Sequence, residues 1–150
     1  MIEVIANNFW AISGSILLAC FTAWLAWNHF LEVRRINASD KFRSIVLAEL
    51  KEYYPIPTSW PEHSFDISYI LREKFPALNE AVEEYSHFVK DKSGFLSSWD
   101  TYRYGEKDTA TGQQDYFQYT GAYLDNEKPP NPQEVLKENI ARLLSYCEQT

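Results

Sequence analysis

The chain has 150 residues, of which 21 are acidic and 14 are basic, so its formal net charge is −7. This acidity, with no block of Lys or Arg, argues against a nucleic-acid partner, because phosphate binding needs a clustered cationic surface. Hydrophobic residues make up 45% of the chain and aromatic residues 16%. Such a composition indicates a packed domain rather than a disordered chain.

The first predicted element is a transmembrane helix. The segment from Val4 to Leu31 contains no Asp, Glu, Lys or Arg, and the pair Arg34 and Arg35 follows it. An apolar segment of this length matches the ~20 residues that cross a hydrocarbon core, where only a helix satisfies its own backbone. We therefore expect residues 1–35 to form an N-terminal tail and a helix anchored in a lipid bilayer.

A cleaved signal sequence and a lipidated cysteine both fit this apolar segment less well. A cleaved secretory signal begins with basic residues, but the N-terminus here is MIEVIANN, with no Lys or Arg. Leu17-Leu18-Ala19-Cys20 resembles a bacterial lipobox, yet the apolar sequence FTAWLAW continues beyond the cysteine. A helix that is retained in the mature protein is the better interpretation.

The charges beside the helix predict its orientation. Four basic residues follow the apolar segment closely, namely Arg34, Arg35, Lys41 and Arg43. The α-amino group is the only positive charge before the segment. Because basic residues favour the cytoplasmic side of a membrane, the N-terminus should lie outside. Residues 36–150 should then form a cytoplasmic domain.

Small residues recur every four positions within the predicted span, and they are Ala11, Ser15, Ala19 and Ala23. Small side chains let two helices approach closely in lipid, so this stripe is a candidate site for a homodimer or for docking on another membrane protein. Ala and Ser are also common in any helix of this kind. The sequence leaves both interpretations open.

The rest of the chain predicts a mainly α soluble domain of four or five helices with one long irregular loop. A first helix should follow a break at residues 36–40, with Ser39 or Asp40 as its cap, and continue to about Tyr54. Prolines at positions 55, 57 and 61 then favour an extended segment, because proline disfavours helix at the residue before it.

Further helices are predicted from apolar periodicity and from turn residues. A short helix should contain Phe65 and end at Phe75, and Pro76 should open the next one, which runs to about Lys90. Another short helix should end at Gly105; its apolar residues are Phe95, Leu96, Trp99 and Tyr102.

The last part of the chain combines a loop with a final helix. Residues 106–130 show no helical periodicity, and we expect a long, partly packed loop there. Asn131 should cap the final helix, with Pro132 at its first position and Glu134 at its third.

Four aromatic residues in the two predicted loops are candidate partner contacts: Trp60, Tyr116, Phe117 and Tyr119. Exposed aromatic side chains make good anchors in protein interfaces. Trp60 has an alternative role, because a tryptophan in a proline-rich loop also commonly closes over the core. The sequence leaves the two roles of Trp60 open.

The sequence gives little support for catalysis or metal binding. No Gly-rich phosphate loop and no GxSxG, HExxH or CxxC spacing is present. Glu84 and His87 have the E-x-x-H spacing of ferritin-like ligands, but such a site needs a second copy, which the chain lacks. Glu62 and His63 could form an acid–base pair, yet no nucleophile accompanies them. We therefore expect no enzyme activity, no cofactor and no metal.

Three segments of the chain form a pattern that is found together in other proteins. The segments are Ala38-Ser39-Asp40-Lys41-Phe42-Arg43, then Phe75-Pro76 with Glu80-Ala81-Val82 and Tyr85, then Phe95, Trp99 and Tyr102. In these segments the chain resembles small uncharacterised bacterial proteins, which often have a single N-terminal transmembrane helix. The resemblance covers about Ile36 to Tyr104 and brings no activity and no site residue with it. It implies a bacterial inner-membrane setting, and it favours packing roles for these aromatic residues.

The sequence therefore predicts a single-pass inner-membrane protein with an accessory or interaction role. Its partner would be a membrane or cytoplasmic protein, or a second copy of the chain. One alternative is a membrane-perturbing small protein of phage or toxin type, whose expression would collapse the membrane potential. A second is an unrecognised enzyme, which a concave pocket containing Glu62, His63, Glu84 or His87 would favour.

Overall fold

The computed structural model describes residues 2–63, 65–105, 115–121 and 130–148, with side chains from residue 14 onward. These residues form four α-helices and one short 3₁₀ helix, and none of them lies in a β-strand. The predicted mainly α fold is confirmed. The helices are α1 (Ile2–Glu49), α2 (Asp66–Ser86), α3 (Lys92–Tyr104) and α4 (Pro132–Glu148), with the 3₁₀ helix at Phe117–Tyr119.

The chain divides into two compact units, Met1–Ile36 and Asn37–Thr150. In the first unit, every residue from 14 to 34 is exposed, although this segment is rich in large apolar side chains. Within the described part of the chain, α1 is the one helix long and apolar enough to cross a membrane, judged by length and composition. Its most apolar window contains no buried residue, in contrast to the core helix of a soluble protein.

The predicted break at residues 36–40 is wrong, because these residues are helical and belong to α1. Ser39 does not cap a new helix. It is buried, and its hydroxyl donates to the carbonyl oxygen of Cys147 at 3.2 Å. Phe42 and Val46 follow on the same buried side at helical spacing. Tertiary packing of this side has therefore overridden a local capping signal. The helix also ends at Glu49 rather than near Tyr54, and residues 50–53 continue as turns.

Helix α2 is a single helix, and the predicted break at Pro76 is also wrong. An internal proline removes one helical hydrogen bond and costs about 3 kcal/mol or more. The buried residues on either side of it, Leu71 and Leu78, are seven positions apart and therefore share one face of the helix. Burial of this continuous face offsets the local cost of the proline, which is itself exposed.

Helix α3 ends and helix α4 begins where the sequence predicts. Gly105 ends α3 with φ 84°, and the Asn131 side chain accepts the N–H of Gln133 at 3.1 Å, which caps α4. At the start of α3, the Asp91 side chain accepts the backbone N–H of Gly94 at 2.9 Å. These local signals determine the helix ends because their hydrogen bonds span only a few residues.

Aromatic rings form much of the core of the second unit. The rings of Phe42 and Tyr85 stack with their centroids 4.8 Å apart, and Phe95 meets each of them edge-on at 5.4 Å. A second group joins Tyr102 to Tyr116 and Tyr119, with centroids 5.6 and 6.0 Å from the Tyr102 ring. All six side chains are fully or almost fully buried.

Two of the predicted partner contacts belong to this core, so their predicted exposure is wrong. Tyr116 and Tyr119 lie in residues 115–121, which we call the strap, and their side chains are 0% and 1% exposed. The Tyr119 hydroxyl donates to the carbonyl of Tyr102 at 2.8 Å and accepts the side-chain amide of Asn139 at 3.0 Å. The strap is therefore part of the packed interior, although periodicity in the sequence gives no sign of it.

The carbonyl groups at the end of α3 explain why the strap is bound there. The last carbonyls of a helix have no partner within the helix and must be satisfied from outside. The Gln118 amide donates to the carbonyls of Thr101 and Tyr102, at 2.7 and 3.0 Å. The backbone N–H of Tyr116 donates to the carbonyl of Arg103 at 2.6 Å. These bonds bring the two strap tyrosines into the core.

The buried hydroxyls should differ in their effect on stability. Tyr119→Phe removes two buried hydrogen bonds and leaves the Asn139 amide short of an acceptor, so we expect a loss of about 1–3 kcal/mol. The hydroxyls of Tyr102 and Tyr116 have no hydrogen-bond partner among the described residues, so Tyr102→Phe and Tyr116→Phe should change stability by only about 0.5 kcal/mol. Chemical denaturation of the full chain in mild detergent measures all three. Equal losses would contradict the assigned bonds.

Stability should also fall at alkaline pH. Burial raises the pKa of Tyr102, Tyr116 and Tyr119 above the ordinary value of 10.0. Below about pH 10 both the folded and the unfolded chain keep these protons, so the full stability is present. As the pH rises further toward the folded pKa values, only the unfolded chain releases the protons. Each tyrosine then lowers the free energy of unfolding by about 1.4 kcal/mol per pH unit.

Denaturation at stepwise pH, followed together with tyrosinate absorbance, measures this effect. The buried tyrosines should ionise only as the chain unfolds. The variant Tyr102→Phe/Tyr116→Phe is the control, because it should remove a large part of the slope above pH 10. An unchanged slope in this variant would refute the assignment to these side chains.

Candidate interaction surface

The small-residue stripe lies on α1. Ser15, Ala19 and Ala23 are exposed, and the side chain of Ala11 lies outside the described residues. Exposed small side chains on an apolar helix are compatible with helix association and equally with a simple span. The association of the stripe with another helix stays a prediction.

The remaining predicted contacts do not form one exposed set. Trp60 is half-buried, packs against the core, and meets the Tyr53 ring edge-on with centroids 6.2 Å apart. Phe117 is also half-buried. Of the four aromatics predicted to contact a partner, Tyr116, Tyr119 and Trp60 therefore serve in packing.

A different set of apolar residues in the second unit is exposed instead. Among its described residues, the large hydrophobic side chains that stand out to solvent are Ile56, Tyr69 and Phe65, at 72, 63 and 55% exposure. Phe65 is the N-cap of α2, and Tyr69 lies one helical turn further on. At a spacing of four residues their side chains share one side of the helix. We call this side, with Asp66, Arg72 and Glu73, the α2 outer face.

The phase of the helix explains why these two aromatics are exposed. Ile67 and Leu71 are fully buried, and Tyr69 lies midway between them. Two residues along a helix is a rotation of about 200°, so Phe65 and Tyr69 point away from the side that packs on the core. The sequence places Phe65 in a predicted helix but assigns it to no face. The spacing of Tyr69 from the core positions is the signal that could have identified this side.

Two carboxylates lie on the same side of α2 as these aromatics. Asp66 and Glu73 are both exposed, and neither forms an ion pair with another described residue. Two basic residues are close to them in the sequence, Arg72 and Lys74, and Lys74 pairs with Glu49. The Arg72 guanidinium lies 5.9 Å from the centre of the Tyr69 ring and donates to the carbonyl of Asp115 at 3.5 Å. The α2 outer face therefore combines two exposed aromatic side chains with two unpaired carboxylates and one guanidinium.

The residues considered for acid–base or metal chemistry are dispersed. Glu84 pairs with Lys41, with 2.6 Å between Oε2 and Nζ, and His87 is exposed. Glu62 and His63 are both exposed. The described residues contain no group of three His, Cys, Asp or Glu side chains that could hold a metal ion.

A shallow cleft lies beside the Lys41–Glu84 pair. Its lining includes Phe42 and Tyr85, and it encloses no cavity large enough for a water molecule. Small-molecule sites are usually cavities of about 300–1,000 Å³. Of the four residues considered for an enzyme site, this cleft contains Glu84 alone.

Comparison with known proteins does not assign this chain to a family. No protein-family model matches it. No curated protein and no solved structure matches it either. The function must therefore be inferred from the chain's own residues. Among the described residues of the second unit, the α2 outer face is the surface that exposes aromatic side chains.

Proposed function

We propose that this chain is a single-pass membrane protein whose second unit binds a protein partner through the α2 outer face. The observation that carries the proposal is the pair Phe65 and Tyr69, which are 55 and 63% exposed on one side of one helix. The first unit supplies the anchor, and the second supplies the binding surface. The role is that of an accessory or interaction protein rather than an enzyme.

Several features of α1 support the anchor. The segment from residue 4 to residue 31 has no charged side chain, and residues 14–34 are exposed throughout. Apolar side chains of this number and size are stable when they face lipid. The basic residues after the span support a cytoplasmic second unit, with the N-terminus outside.

The chemistry of the α2 outer face supports a protein partner. Aromatic residues are enriched among the side chains that dominate binding energy in interfaces. A fully buried aromatic side chain removes about 150–250 Å² from solvent, and Phe65 and Tyr69 still expose 55 and 63% of their surface. The carboxylates of Asp66 and Glu73 would form part of the polar rim that such interfaces have. The negative charge also disfavours an anionic lipid surface as the occupant.

The anchor predicts a specific membrane topology. In right-side-out membrane vesicles the second unit should be protected from added protease, and in inverted vesicles it should be digested. The protein should also stay in the membrane fraction at alkaline pH in carbonate and leave it only with detergent. Digestion in right-side-out vesicles would contradict the orientation, and release by carbonate would contradict the span.

The binding surface predicts a specific pattern of photo-cross-linking. A photoreactive phenylalanine analogue at position 65 or 69, in the full chain and in its own cells, should give one discrete protein adduct. The same analogue at position 141, which is exposed on α4, should not give that adduct. Adducts of equal yield at all three positions, or none at positions 65 and 69, would overturn the proposed function.

A further inference from the structure

We propose that the segment which docks on the α2 outer face is basic and amphipathic, and that it flanks the transmembrane helix of another membrane protein. This inference rests on the proposed function and adds the chemical class of the partner. It is drawn from the charges around Phe65 and Tyr69 together with the membrane anchor.

The exposed carboxylates of the α2 outer face favour a partner with positive charge. Asp66 and Glu73 lie on the same side of α2 as Tyr69 and are exposed. Arg72 lies on this side as well, and its guanidinium contacts the Tyr69 ring and the carbonyl of Asp115. Lys74 follows Glu73 in the sequence and pairs with Glu49, with 3.7 Å between Nζ and Oε2. Asp66 and Glu73 form no ion pair with another described residue, so this side of α2 offers two carboxylates to a partner. Complementary charge in the partner speeds association and excludes acidic competitors.

The exposed aromatic pair favours a partner that also has a stripe of apolar side chains. Phe65 and Tyr69 are spaced by one helical turn, so a complementary helix would place apolar side chains at similar spacing against them. The remaining positions of that helix would carry Lys or Arg toward Asp66 and Glu73. A purely apolar segment would leave these carboxylates desolvated and unpaired, which costs binding energy.

The membrane anchor indicates where such a segment is found. On the cytoplasmic side of a membrane, the residues that flank transmembrane helices are enriched in Lys and Arg. A domain tethered beside the membrane meets these segments at high effective concentration. Segments of this kind combine apolar and basic residues because they lie at the membrane interface.

Two synthetic peptides test the charge requirement. One has Leu at positions of helical spacing and Lys at the others, and the second has Glu in place of every Lys. The full chain is placed in nanodiscs of neutral phosphatidylcholine, and binding is followed by fluorescence anisotropy of labelled peptide, with empty nanodiscs as the blank. We expect the Lys peptide to bind at least about tenfold more tightly than the Glu peptide.

Three double variants then locate the binding. Phe65→Ala/Tyr69→Ala should weaken binding of the Lys peptide by about tenfold or more. Asp66→Asn/Glu73→Gln should weaken it a few-fold and reduce its dependence on salt. Glu134→Gln/Glu138→Gln is the matched control, because it removes two exposed carboxylates, one in the first turn of α4, and should leave binding unchanged. Denaturation of each variant checks that the fold is intact.

The outcomes separate this inference from the proposed function. Equal binding of the Lys and Glu peptides, or an equal loss in the control variant, would overturn the basic partner. A discrete protein adduct at positions 65 and 69 would in that case still uphold the interaction role. If that adduct is identified by mass spectrometry, the cross-linked segment should be rich in Lys or Arg. Adducts to phospholipid alone would show that the surface binds lipid, and both proposals would fail.

Discussion

The second unit depends on how the last carbonyl groups of α3 are satisfied. A helix end that is buried must receive hydrogen bonds from elsewhere in the chain, and here the strap, residues 115–121, supplies them. Gln118 and Tyr119 both donate to the carbonyl of Tyr102, and Asn139 on α4 donates to the Tyr119 hydroxyl. The strap thus links two helices without regular structure over most of its length. An aromatic segment that looks like a surface loop becomes part of the core.

An ion pair holds the same segment from its outer side. The guanidinium of Arg103 donates to both carboxylate oxygens of Asp115, at 2.8 and 3.0 Å, and lies 4.3 Å from the centre of the Phe75 ring. Paired, two-pronged contacts of this kind fix geometry as well as add energy. Because both side chains are partly exposed, the pair is worth less than a fully buried one would be. Its main effect is to hold Asp115, the first residue of the strap, against the end of α3.

The burial of the strap determines which aromatic side chains are available to contact a partner. With Tyr116 and Tyr119 used for packing, the exposed aromatics among the described residues of the second unit are those at the start of α2. This position combines a rigid helical element with the carboxylates of Asp66 and Glu73, whereas a loop would have to be ordered on binding at an entropic cost. The proposed partner class follows from these two properties together with the charges that flank a membrane span.

The sequence by itself determined the features that depend on neighbouring residues. The apolar segment at the N-terminus, the mainly α fold, the end of α3 at Gly105 and the cap at Asn131 all follow from composition, periodicity and hydrogen bonds across a few residues. Tertiary structure decided the rest. Pro76 lies inside a helix because both of its flanks pack on one core, and Ser39 bonds a carbonyl 108 positions away. Tyr119 is buried because a helix end distant in sequence needs its hydroxyl, and no local pattern in a single sequence reports a contact over that separation.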